Sequence, residues 1–85
     1  MMVENKRLNK IIRDIKEEFE FATSKFGSFN NAHEGYAVLL EEVDELWENV
    51  KLKQGDPYRT PSITQEAIHV ATMAIRLIYD CGGMK

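Results

Sequence analysis

The chain has 85 residues, one cysteine and a formal net charge of −3. That describes one small domain, 1–85, and excludes both an internal disulfide framework and a basic nucleic-acid surface. Charged residues at 29% beside 44% apolar ones fit a folded chain rather than a disordered one. No apolar run approaches the roughly 20 residues of a membrane span, and the N-terminus shows no secretory pattern. The expectation is a cytoplasmic protein whose partners include neither a nucleic-acid polymer nor a membrane.

The periodicity predicts a first helix over 3–24. Leu8, Ile11, Ile12, Ile15, Phe19 and Ala22 recur at the spacing of one buried stripe. Lys6, Lys10, Arg13, Asp14, Glu17 and Glu18 occupy the other side, so this helix reads as packing scaffold. Gly27 ends it, and Phe26 and Phe29 are expected to fold back on the core or wall a pocket.

Asn31 is the expected N-cap of a second helix, with Glu34 completing a capping box, and the helix is predicted to reach 53. Its apolar arc is Tyr36, Leu39, Leu40, Val43, Leu46, Trp47 and Val50. Within it lies LLEEVDEL, residues 39–46, with acids at Glu41, Glu42, Asp44 and Glu45. Glu42 and Glu45 share a helix face about 4.5 Å apart along the axis, where like charges repel unless a cation sits between them. Glu42 borders the apolar arc and is the acid drawn toward the interior. The plain alternative is a solvated acidic face.

The stretch QGDPYRTP, 54–61, is a connector, with Arg59 either a phosphate contact or a solvated loop residue. A third helix is predicted over 62–80, opened by Pro61. It is apolar most of the way round, and two further helices from one chain can hardly cover it. A second protomer is therefore expected, giving a homodimer or homotetramer. Glu66 falls inside the apolar arc, where an unpartnered carboxylate costs several kcal/mol. It calls for a cation, a hydrogen-bond partner or a raised pKa. His69 is three residues on, facing the same way. Arg76 and Asp80 are spaced to pair with each other. A short connector makes the second and third helices antiparallel, so Glu42 and Glu45 can converge with Glu66 and His69 on one ion.

Glu41, Glu42 and Glu45, followed by Glu66-Ala67-Ile68-His69-Val70, resemble the EExxE and ExxD pattern of the MazG-like all-α nucleoside triphosphate pyrophosphohydrolases. The likeness spans 31–80, and His69 stands where that family has aspartate. The resemblance implies a MazG-like four-helix bundle completed by oligomerisation, three helices coming from each chain. It also implies cleavage of a nucleoside triphosphate to monophosphate and pyrophosphate, in a house-cleaning or nucleotide-pool role. By the same likeness Mg²⁺, or Mn²⁺, is held by Glu42, Glu45 and Glu66, with His69 a fourth ligand that turns preference toward Mn²⁺, a second-shell group, or the mark of a weakened or lost activity. Glu41 and Glu45 are the catalytic candidates, and Trp47, Lys51 and Arg59 the substrate-binding ones. Two other readings of the residues stay open. Glu66-x-x-His69 is also the spacing of di-metal carboxylate bundles, and a helical dimer can serve as a non-catalytic interaction module.

Overall fold

The computed structural model describes residues 5–83 as three helices without strands: α1, Lys6–Phe26; α2, Ala32–Val50; α3, Arg59–Cys81. The all-α expectation holds. Asn5 caps α1 by accepting from the Leu8 amide at 2.9 Å, a cap the sequence reading missed. Val3, the expected start, lies outside the described residues. Gly27 stops the helix with φ +73°, a conformation glycine adopts without steric cost, and its amide reaches the Thr23 carbonyl.

Asn31 opens α2 as expected, accepting from the Glu34 amide at 2.8 Å. The Glu34 carboxylate reaches one residue further back than a capping box requires, to the amide and side chain of Asn30. The helix ends at Val50 rather than 53, because the Arg59 guanidinium donates twice to the Val50 carbonyl, each at 3.3 Å. That contact also draws Arg59 into α3, which begins three residues before the expected 62. Pro61 then sits within the first turn, where no amide is needed for an intrahelical bond.

The helix α3 lies between α1 and α2, whose backbones do not come close to each other, in a body of 42 × 40 × 20 Å. Gly35 faces Leu77, Glu42 faces His69 and Val50 faces Arg59, so α2 and α3 run antiparallel. The core they share with α1 is small: Ala22, Phe29 and Met73, flanked by Val38, Leu39, Leu77 and Cys81. Phe29 folds inward, whereas Phe26 stays exposed.

Arg76 and Asp80 do not form the pair their spacing suggests. The Arg76 guanidinium, 3% exposed, donates to the Gly27 carbonyl and lies 4.4 Å from the Phe29 ring centre. The Asp80 carboxylate accepts from the Phe29 amide at 2.8 Å. Both residues fasten the 27–29 loop to α3, because the loop's backbone carbonyl and amide give each charge a hydrogen-bond partner.

Much apolar surface stays uncovered. The stripe predicted for α1 is buried only toward its C-terminal end: Ala22 is enclosed, while Leu8, Ile11 and Ile12 are exposed, since α3 is the helix whose backbone runs close to α1. Tyr36, Leu40, Val43 and Trp47 of α2 are exposed as well, as are Ile75, Ile78 and Tyr79 of α3.

Candidate metal centre

Antiparallel packing of α2 on α3 carries Glu42 to the side of α3 that bears Glu66 and His69. Glu66 and His69 share a face because they are three residues apart on one helix. The Nδ1 atom of His69 lies 3.4 Å from Glu66 Oε2 and 3.5 Å from Glu42 Oε2. One donor atom from each of Glu42, Glu66 and His69 falls within 4.8 Å of the others. The three side chains are half-buried, between 17% and 24% exposed.

The two facing carboxylate oxygens, Glu42 Oε2 and Glu66 Oε2, are themselves buried and accept no hydrogen bond among the described residues. An ionised oxygen in that state has lost its water without compensation. Burial is the largest cause that raises the Glu42 pKa above the ordinary carboxylate range. The neighbouring Glu45 charge adds to it, the His69 imidazole acts the other way, and Glu66 raises it further. A hydrogen bond with Glu45, which needs a proton on one carboxyl, works in the same direction.

The donor set suits a divalent cation. Two carboxylates cancel its charge, and an imidazole lone pair completes one face. The spacings are longer than hydrogen bonds and match ligand-to-ligand edges, which run about 3.0–3.4 Å around an ion with bonds near 2.1 Å. A cation here would satisfy both orphaned oxygens at once, so the residues fit the metal that the sequence pattern implies.

The other expected site residues fall around this group rather than in it. Glu45 is exposed, close enough to act on Glu42 but outside the set of three. Glu41 and Glu42 line a cavity of about 310 Å³ with Phe29, Met73 and Arg76. Trp47 is exposed with the Lys51 ammonium 5.8 Å from its ring centre, and Lys51 pairs with Glu48 at 2.9 Å. Arg59 is engaged with the Val50 carbonyl. None of Trp47, Lys51 and Arg59 lines either of the cavities that flank the three ligands.

One participant comes from an unexpected place. Glu18, assigned by sequence to the charged outer side of a scaffold helix, puts Oε1 3.6 Å from His69 Nε2. It opens on a second cavity, about 630 Å³, together with Asp14, Glu17, Gln65 and His69. Nothing in the local pattern separates Glu18 from its acidic neighbours; only the crossing of α1 over α3 selects it. Among the described residues no helix is long and apolar enough to cross a membrane. Comparison of the chain with protein-family models, with curated proteins and with solved structures finds no match.

Proposed function

We propose that the chain is a divalent-metal-dependent nucleoside triphosphate pyrophosphohydrolase of the MazG-like type, acting on nucleotide pools as a cytoplasmic homo-oligomer. The observation that carries this reading is the meeting of Glu42 with Glu66 and His69, their facing oxygens lacking any other partner. The EExxE and ExxH pattern of the sequence supports it. An acidic cluster repels a triphosphate, so this chemistry requires cations between the two.

Glu42, Glu66 and His69 would hold Mg²⁺ or Mn²⁺, with Glu45 behind Glu42. When bound, the metal neutralises phosphate charge and lowers the pKa of a water. Glu41, beside Glu42 on the cavity wall, takes the proton from the attacking water. The water oxygen bonds to the α-phosphorus, the bond from that phosphorus to the α–β bridging oxygen breaks, and pyrophosphate leaves from a nucleoside monophosphate. Glu41 then returns the proton to solvent. Trp47 and Lys51, which line neither cavity beside the ligands, would meet only a part of the substrate that extends beyond them, and Arg59 reaches a phosphate only by releasing Val50.

Pyrophosphate release from ribo- and deoxyribonucleoside triphosphates with Mg²⁺ or Mn²⁺ tests the reading. Turnover should fall at least about a hundredfold in Glu42→Gln and in Glu66→Gln, the scale of losing a metal ligand or its outer support. Absence of turnover on every triphosphate with either ion overturns it. Stoichiometric iron with a near-ultraviolet charge-transfer band in protein purified without added metal would move the assignment to a redox di-metal bundle.

A further inference from the structure

We infer that Glu18 is the positioning residue of this centre: it accepts a hydrogen bond from the Nε2–H of His69, commits Nδ1 to the metal, and so shifts the site from Mg²⁺ toward first-row transition ions. The inference rests on the metal-dependent reading above and adds a residue and an ion class to it. His69 is clasped on opposite ring edges. Nδ1 faces Glu42 and Glu66 at 3.5 and 3.4 Å, while Nε2 faces Glu18 at 3.6 Å. A neutral imidazole offers one lone pair and one N–H. If Nδ1 gives its lone pair to an ion between the glutamates, Nε2 must carry the proton. The group facing that proton is a carboxylate, the acceptor best able to hold it.

The gap at Nε2 is a few tenths of an ångström longer than a hydrogen bond, which a small rotation about the Glu18 side chain closes. Both groups are partly shielded, His69 at 24% and Glu18 at 29% exposure, so the contact is not fully screened by solvent. A carboxylate behind a ligating histidine fixes the tautomer and ring orientation and makes the ligand more basic, an effect of about 10–100-fold in metal affinity. It also gives α1 a polar task at the centre, although its backbone does not approach that of α2.

Ion class follows from the donor that Glu18 creates. Mg²⁺ takes oxygen ligands in near-ideal octahedral geometry and binds imidazole poorly, whereas Mn²⁺, Co²⁺ and Zn²⁺ accept it readily.

The test is metal binding by the full chain after chelator treatment, titrated with Co²⁺, Zn²⁺ and Mg²⁺ by calorimetry and, for Co²⁺, by visible absorption. The wild type should bind Co²⁺ at least tenfold more tightly than Mg²⁺. Glu18→Ala should weaken Co²⁺ by 10–100-fold and alter its visible bands. In a His69→Asp background, where no N–H remains to be held, adding Glu18→Ala should change Co²⁺ affinity less than twofold. Equal Co²⁺ binding by wild type and Glu18→Ala overturns the role of Glu18 and leaves the centre standing. A Glu18→Ala loss of the same size in both backgrounds also overturns it, because Glu18 would then act independently of His69. Failure of the wild type to bind any of the three ions sinks the metal-dependent reading itself. Should Glu18→Ala not fold, nitrogen-15 NMR of the Zn²⁺-loaded wild type decides, with His33 as the second of the chain's two histidines for reference. A proton on His69 Nε2 supports the assignment, and a proton on Nδ1 overturns it.

Discussion

Glu42 is a carboxylate held where its charge is unwelcome, and that has a sign. Its pKa in the folded chain lies above the ordinary value of 4.5. The folded state therefore binds this proton more tightly than the unfolded state. Stability from Glu42 is greatest below 4.5, declines as pH rises through the folded pKa, and stays low above it. In metal-free protein, Glu42→Gln should accordingly be more stable than the wild type at neutral pH, and the difference should shrink toward acid pH. With a binding divalent ion the order should invert, since only the ionised wild type gains from the ion, by about 2.7 kcal/mol at a hundred times Kd. Denaturant midpoints across pH, with and without metal, measure both halves. A glutamine variant no more stable than wild type in the metal-free protein at neutral pH contradicts the orphaned-charge account. Glu66 and Glu42 were legible because a carboxylate within or beside an apolar arc is locally anomalous. Glu18 was not, because its partner is 51 residues away and it sits among similar acids. Arg76 and Asp80 were misread for a related reason: a spacing rule for exposed helix pairs does not see a loop arriving from elsewhere in the chain.

At the scale of helices, the ends at Gly27 and Asn31 were readable from neighbouring residues, the equally local Asn5 cap was not recognised, and the end set by a distant residue could not be seen. Gly27 and Asn31 act on amides and carbonyls within a few positions of themselves. The end of α2 depends on Arg59, nine residues beyond Val50, and is invisible to any local cap rule. The packing of α2 on α3 depends on Gly35 in the same non-local way. A Cβ there would meet Leu77 Cδ1 at 2.6 Å and Phe29 Cδ2 at 3.0 Å. Helix propensity alone favours Gly35→Ala by about 1 kcal/mol at most. Overpacking costs about 1–3 kcal/mol, and the buried Phe29 ring, already stacked on Arg76, has little room to yield. Gly35→Ala should thus lower stability by about 1–2 kcal/mol, roughly 4–16 °C in Tm for a domain of this size. Thermal unfolding checks it, and a rise in Tm would mean that α2 does not approach the loop and α3 this closely. Because Phe29 also walls the cavity beside Glu42, the same contact ties helix packing to the geometry of the centre.

The whole molecule is a layer about 20 Å thick whose middle helix is covered on two sides only. Among the described residues, Ala22, Phe29 and Met73 are a slender enclosed core for a chain of 85 residues. Meanwhile Tyr36, Leu40, Val43 and Trp47 form an exposed stripe on α2 at spacings of four, three and four, the pattern of a helix seam. A second apolar surface is the groove of about 410 Å³ between α1 and α3, lined by Ile12, Ile15, Phe19, Ile75 and Tyr79. Stable interfaces bury about 800 Å² on each partner, and a few side chains of this size supply much of that, since each aromatic alone carries about 150–250 Å². The expected state at micromolar concentration is therefore a dimer or a tetramer, with unfolding midpoints that rise with protein concentration. Sedimentation should show this, and Val43→Asp should shift the population toward smaller species by placing a charge in the α2 seam, whereas the same species in wild type and variant would assign the contact to the α1–α3 groove. A wild-type monomer with a concentration-independent midpoint would mean that these three helices stand alone, and the burial argument drawn from α3 would fail with it.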